Sequence, residues 1–301
     1  IFAAFDLAVF YIAFEAMLVP LYLMIGRYGL GEASARHKAA MKFLLYSLFG
    51  GLVMLGGIIY IWARLAATQA DTTAFFRMDT LAGILPTQSM PAQMVIFVTF
   101  MVAFAIKAPM VPVHTWLPDA AAVARPGTSV LLVGVLDKIG TFGMITMCLQ
   151  LTPGAASSAK WVMCVLAVIS ILWGGLSANG QNDIMRLVSY TSVSHFGFMV
   201  LGIFIGFEIA LVGAMFYMVA HRSYVPALRL ALEAWRNAGH ARLRRHAARH
   251  PGPRRPVAHE RTRLHRAARP VRLRPRVPRP HGHLDGLRPA GALRGPRRRH
   301  R

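Results

Sequence analysis

The sequence predicts an all-α, polytopic membrane helix bundle, and three observations carry that prediction. Apolar segments of bilayer-spanning length recur through residues 1–221, one of them is interrupted by a lysine and prolines, and the strongly basic part of the chain is confined to residues 222–301. Of the 301 residues 55% are hydrophobic and the mean hydropathy is +0.45, yet the formal net charge is +22. Residues 1–221 hold eleven Lys and Arg against nine acids, whereas residues 222–301 hold 23 Arg, no Lys and three acids. The charge therefore belongs to the tail.

The apolar segments are Phe2 to Ile25, Phe43 to Ala63, Met94 to Val113, Val130 to Leu149, Trp161 to Ala178 and Leu187 to Phe207, each near the ~20 residues that cross a bilayer. A seventh starts at Ile209 and reaches only His221, about two thirds of the hydrocarbon thickness at about 1.5 Å per residue. Arg27, Arg36, Lys38, Lys42, Arg125 and Arg186 fall in the first, third and fifth loops, which the positive-inside rule assigns to the cytoplasm. The intervening loops, where Arg64 and Arg77 are offset by Asp71 and Asp79, then face the other side.

Within the first span, Glu15 lies in FYIAFEAMLVPLYLM, where an acid must be neutral, paired or hydrated. The third span contains FAIKAPMVPVHTWLPDA, Phe104 to Ala120, in which Lys107 precedes Pro109 and Pro112. A lysine at the centre of a spanning helix costs about 2.5–3.5 kcal/mol on insertion scales, so it usually lines a polar path or meets a partner. Backbone released by a proline break is tolerated at that depth only where protein or a water-filled cavity satisfies it. A discontinuous helix near 105–113 beside an ion or proton route is the expectation. Glu15 and Lys107 form a candidate pair, either exchanging protons or fixed as an ion pair that sets helix packing.

The fourth span, VLLVGVLDKIGTFGMITM, carries Lys138 as a second titratable amine. Asp137 precedes it, and neighbours on a helix point about 100° apart, so Asp137 need not pair with Lys138 and has a structural and a relay role both open to it. His114, His195 and His221 each stand among apolar or small polar residues. An imidazole can relay protons near neutral pH, but a lone histidine also serves as a hydrogen-bonded packing residue. The polar run Tyr190, Thr191, Ser192, Ser194 and His195 in the sixth span fits either interhelical hydrogen bonding or a hydrated lining.

No Walker loop, dinucleotide fingerprint or nucleophile motif occurs, and the histidines have no metal-ligand spacing, so no cofactor and no metal are expected in this chain. Cys148 and Cys164 lie singly in apolar segments and are expected to be buried free thiols. Ile1 leads straight into an apolar segment without a methionine or a charged leader, the expectation being an N-terminally incomplete chain.

Two domains follow: 1–221, a transmembrane domain of six full spans and a truncated seventh, and 222–301, an Arg/Pro-rich tail expected to be disordered. The tail lacks Lys, Ile, Met, Phe, Gln and Cys altogether. Those amino acids mostly have AT-rich codons, so the composition break also fits an out-of-frame translation of GC-rich DNA. Taken at face value, the tail would suit an anionic lipid surface or nucleic acid.

The stretches FEAMLVPLY, FAIKAPMVPVHTWLPDA, SVLLVGVLDKIGTFG, DIMRLVSYTSVSHFGF and GAMFYMVAH together cover much of residues 1–221. In them the chain resembles the subunit M family of the bacterial NADH-quinone oxidoreductase (respiratory complex I), the counterpart of mitochondrial NADH dehydrogenase subunit 4. The resemblance implies an antiporter-like membrane-arm subunit in the bacterial plasma membrane that translocates protons, driven by electron transfer elsewhere. FMN, iron–sulfur clusters and quinone would belong to other subunits of the complex, and the remaining membrane-arm subunits would be its partners, with no nucleic acid. By motif position it implies that Glu15 is the essential glutamate, Lys107 the lysine of the broken helix, Lys138 the next lysine on a central polar axis, and His221 an axis residue beyond it. Approach of Glu15 would favour charged Lys107, and its withdrawal would send the proton towards Lys138.

Three departures from the family pattern stand out. After WLP the family commonly has DAHTEAPTAGS, whereas this chain has DAAAVARPGTS, with Ala121 for His and Val123 for Glu. Asp137 stands where many members have leucine. The family's second broken helix, expected after His221, does not appear in 222–301. Rival readings are a subunit of a multisubunit cation/proton antiporter, a membrane-bound hydrogenase subunit, and a membrane-tethered basic nucleic-acid-binding protein resting on the tail.

Overall fold

The computed structural model describes residues 1–67 and 76–249, with the side chains of 1–67, 76–223, 227, 228, 230, 231 and 234. Among these the chain is helical, and its only β feature is an isolated bridge between Asp6 and Arg77. Among the described residues six helical segments are long and apolar enough to cross a membrane: Leu7–Gly26, Ala33–Ala66, Met90–Lys107, Pro126–Leu149, Pro153–Asn179 and Ile184–Phe204. They correspond one for one to the six expected spans, with shifted ends.

The shifts have local causes. The first span starts at Leu7, not Phe2, because Asp6 caps it: its carboxylate accepts from the backbone N–H of Ala8 at 2.8 Å and Val9 at 3.0 Å. The span is split into α1, Leu7–Ala16, and α2, Leu18–Gly26. Pro20 accounts for the split, since its ring clashes with the carbonyl four residues earlier, that of Ala16. Glu15 thus stands beside a helix break. α3, Ala33–Ala66, begins ten residues before the apolar segment because ASARHKAAMK is rich in helix formers though poor in hydrophobicity.

A short α4, Met78–Ile84, and a 3₁₀ turn, Leu85–Thr87, lead into α5, Met90–Lys107. α5 stops at Lys107, and Ala108, which precedes Pro109, leaves the helical region at φ −86° and ψ 80°. The chain resumes as α6, Trp116–Val123, which realises the expected broken helix. The fourth span is α7, Pro126–Leu131, a π segment Leu132–Leu136, α8, Asp137–Gly143, and a second π segment Met144–Leu149. π turns inside helices cluster at functional positions, and Asp137 and Lys138 open the turn that follows the first one. α9, Pro153–Asn179, and α10, Ile184–Phe204, pack along each other, with Gly174 and Gly197 at close approaches where a Cβ would meet the facing backbone at 2.6–2.9 Å.

α11 runs from Glu208 to Arg249. Helix therefore continues through 222–249, where the sequence predicts a disordered tail from Arg222 onward. The reason is intrinsic preference: Ala, Leu and Arg dominate this stretch, and all three are strong helix formers although the stretch has no apolar stripe. The remainder of the tail, 250–301, lies outside the described residues. Two units divide the chain, Ile1–Leu243 and Arg244–Arg301; of the second, 244–249 are described and form the last turns of α11.

The loops expected on one side of the membrane do meet at one end. Arg125 Nε donates to Tyr28 O at 2.7 Å, Leu30 N to Val123 O at 2.6 Å, and Lys42 pairs with Asp119 at 2.8 Å. At the other end Leu7 N donates to Phe76 O at 2.7 Å, and Gly154 N to Gln93 Oε1 at 3.1 Å. Large apolar side chains such as Phe49, Leu52, Ile59, Trp161, Leu172 and Leu176 are exposed on α3 and α9, as faces turned to lipid require. Inside, one apolar cluster holds Phe10, Phe14, Phe100 and Phe104 and another holds Phe43 and Trp116. Cys148 and Cys164 are buried free thiols.

Candidate functional site

Lys107 occupies the seam between those two clusters, at the last residue of α5, and is fully buried. The negative end of a helix dipole lies there, which favours a cation. Its Nζ has no hydrogen-bond partner among the described residues and is held against aromatic faces, 4.8 Å from the Phe14 ring centroid and 5.7 Å from that of Phe43. The backbone freed by the break is met by protein. Ala108 N donates to Phe104 O at 2.7 Å, Met110 N to Ala105 O at 3.1 Å, Val111 N to Ser170 Oγ at 2.8 Å and Trp116 Nε1 to Ile106 O at 2.8 Å. The irregular segment is thereby compatible with membrane depth.

Glu15 is half-buried, and its Oε1 is shielded from solvent with no hydrogen-bond partner among the described residues. It lies directly over Gly51 of α3: a Cβ there would overlap Oε1 and stand 2.6 Å from Cδ. Only glycine leaves room for the carboxylate in this place. Glu15 and Lys107 form no ion pair among the described residues, so the proposed pair is not in direct contact, yet the charge of Glu15 acts on Lys107.

Lys138 and His221 do touch. Lys138 Nζ stands 2.8 Å from His221 Nδ1, with Val133 O at 3.3 Å and the Phe196 ring centroid at 4.3 Å. The imidazole of His221 meets that of His195 edge to face, at 5.3 Å between centroids, and His195 in turn meets the Tyr217 ring at 5.7 Å. Three groups expected separately on the fourth, sixth and seventh helices thus form one cluster across α8, α10 and α11. A lysine ammonium in this position donates to an Nδ1 that carries no hydrogen, so a proton can pass between the two without a bridging group.

Asp137 is fully buried, and Lys138 turns away from it towards α11. Gly140, one turn further on, packs α8 onto the break: a Cβ at Gly140 would meet Phe104 O at 2.7 Å and Ala108 Cβ at 2.8 Å. Asp137 and Gly140 share a helix face, which puts Asp137 on the side of α8 that packs against α5. His114 is buried but joins neither lysine; its ring meets Tyr190 of α10 at 6.3 Å. In the polar run of α10, Thr191 and Ser192 donate back to Val188 O, while Ser194 crosses to Ile171 O of α9 at 3.0 Å. Both internal and interhelical bonding therefore occur there.

One constellation was missed from sequence. Asp119 of the WLPDA stretch accepts from Lys42 at 2.8 Å and forms an ion pair with Arg186 at 3.1 Å, tying α6 to α3 and α10. In the sequence Lys42 and Arg186 read as orientation signals, and nothing there marks partners so distant along the chain. Ala121 is fully buried and Val123 contributes its carbonyl to Leu30, so both departing positions serve packing here. A groove of about 340 Å³ between α10 and α11, lined by Phe198, Gly202, Ala210, Gly213, Ala214 and Tyr217, lies apart from the lysines.

A six-span helical bundle with a proline-broken helix and buried lysines at the break and in a π-interrupted helix defines an antiporter-like multi-pass membrane protein. The family described as NADH:quinone oxidoreductase/Mrp antiporter, TM, matches residues 4–242, and the chain belongs to it. It is 45% identical over 221 residues to the NADH-quinone oxidoreductase subunit M of Mycobacterium tuberculosis, covering 72% of this chain and 39% of that protein. Among solved structures it is similar to a chain of the respiratory complex I from Thermus thermophilus with bound NADH. There the TM-score is 0.68 at 35% identity, covering 76% of this chain and 46% of that one. The Mrp complex from Dietzia sp. DQ12-45-1b follows with a TM-score of 0.66 and 25% identity, covering 75% and 41%. The chain spans about two fifths of the length of the curated relatives it matches.

Proposed function

We propose that this chain is the proton-translocating part of a membrane-arm subunit of an NADH-quinone oxidoreductase, seated in a bacterial plasma membrane among the other membrane-arm subunits. The observation that carries the reading is the 2.8 Å link between Lys138 and His221, with Lys107 buried at the end of α5, the helix on which α8 packs. Glu15 loads Lys107 by stabilising its ammonium. When that influence is withdrawn, the proton moves towards Lys138, and Lys138 passes it to Nδ1 of His221, which becomes imidazolium while the lysine becomes a neutral amine.

The chain contributes no redox group in this reading. FMN, iron–sulfur clusters and quinone work in other subunits, which supply the driving force electrostatically and at a distance. Replacing Lys107 by methionine in the assembled complex tests it: NADH-driven proton pumping is expected to be lost, and unchanged pumping would overturn the relay. The likeness to the Mrp complex supports a second reading, a subunit of a multisubunit cation/proton antiporter. Sodium-dependent transport without NADH oxidation would select that one.

A further inference from the structure

We propose that Asp137 is a bridging counter-charge between Lys107 and Lys138, a positioning residue that keeps a carboxylate beside the positive charge as it passes from one lysine to the other. The inference rests on the proton-relay reading above and adds to it a residue that the resemblance does not supply.

The geometry begins with α8. Gly140 allows this helix to approach the broken end of α5 as closely as backbone permits, and Asp137, one turn earlier on the same face, lies on the side that packs against α5. Lys138 is rotated by about 100° and faces α11, where it meets His221. A single turn of helix thus presents an acid on the α5 side and an amine towards the next relay group.

The electrostatics follow from that placement. Lys107 has aromatic faces but no hydrogen-bond acceptor among the described residues, so its ammonium is balanced by carboxylates at a distance. Two act on it, Glu15 from α1 and Asp137 from α8, and Asp137 also acts on Lys138. In a low-dielectric interior such interactions reach further than in water. Glu15 borders only the loading site, so a proton leaving Lys107 moves away from it. Asp137 borders both sites, so the same proton keeps its counter-charge throughout. In this role the proton is held by the amines, and the carboxylate lowers the electrostatic climb between them.

The test is made in the assembled complex, reading NADH oxidation and the proton uptake coupled to it. Asp137→Asn is expected to slow pumping on the order of tenfold, and Asp137→Glu to restore most of it. Pumping at the parental rate in Asp137→Asn overturns the inference. Should the asparagine variant fail to assemble, Asp137→Leu carries the test, since it leaves no unpaired buried amide. Slowed pumping there supports the inference and full pumping overturns it. Combining Glu15→Gln with Asp137→Leu is expected to cost more than the two single losses multiplied, because each acid covers for the other; simple multiplication counts against a shared role. Lys107→Met separates the two levels: if that variant pumps normally the relay itself fails, whereas its loss together with normal pumping in Asp137→Asn removes the bridge alone.

Discussion

Lys138 and His221 lie 83 residues apart in the chain and 2.8 Å apart in the fold, joining a π-interrupted helix to the helix that follows the last full span. A buried ammonium that loses its hydrogen-bond partner costs more than the about 1–3 kcal/mol of a neutral group. Phenylalanine at His221 fills the space, removes the Nδ1 acceptor and leaves the ammonium only Val133 O at 3.3 Å. The expected outcome of His221→Phe is a loss of pumping of about tenfold or more per assembled complex. If the histidine served packing alone, the quantity assembled would change and the pumping of each complex would not.

Gly51 decides whether Glu15 can stay where it is. Alanine would place its Cβ on the carboxylate, and inserting one methyl into a close-packed contact costs about 1–3 kcal/mol. The side chain of Glu15 is free to rotate away at less cost than the helices can separate. Gly51→Ala is therefore expected to assemble and to pump like Glu15→Gln, which a comparison of the two variants in coupled NADH oxidation would check. Parental pumping in Gly51→Ala would mean that the observed position of Glu15 is not needed.

The bundle was legible because lipid imposes a length and a polarity that hydropathy reads directly, and the α5 break because proline has one consequence inside a helix. The split at Pro20 rests on the same rule, yet hydropathy passes over it, since both sides of the break are apolar. Asp137 and Lys138 illustrate what helix geometry can foresee: their divergence follows from about 100° per residue, but their partners do not. His114 was grouped with His195 and His221 by composition and sits instead against Tyr190, because membrane depth gives no lateral position. Residues 222–249 mislead in the opposite sense, having helix preference without an apolar stripe.

On the exposed side of α4, pH acts through Asp79. The hydrogen bond from Arg77, then that from the Thr80 backbone, holds its carboxyl down to about 2 from an ordinary 3.8. A depressed folded value means that the contact stabilises α4 at all pH values above the ordinary one and is lost as the pH falls through about 2. Carboxyl titration by NMR in micelles should find Asp79 near 2, and Arg77→Ala should return it towards the ordinary range. A midpoint unmoved by Arg77→Ala would show that the guanidinium is not the cause.

Asp119 ties three helices with two ion pairs that are about one third exposed, at 32% for Asp119 and Lys42 and 43% for Arg186. Such pairs are worth about 0.2–1 kcal/mol each, screened by salt, so Asp119→Asn should destabilise the fold by about 1 kcal/mol at low ionic strength. At 1 M salt the screening length falls to about 3 Å, comparable to the 2.8 and 3.1 Å separations of these part-exposed pairs, and the difference should shrink to a fraction of that value. Thermal unfolding of parent and variant in detergent at about 10 mM and 1 M salt measures both. A difference that persists unchanged at high salt would assign Asp119 to packing of the α6 turn rather than to charge. If instead stability responds to salt as expected while pumping by the assembled complex does not, the cluster is a clamp at the mouth of the bundle and no part of the proton path.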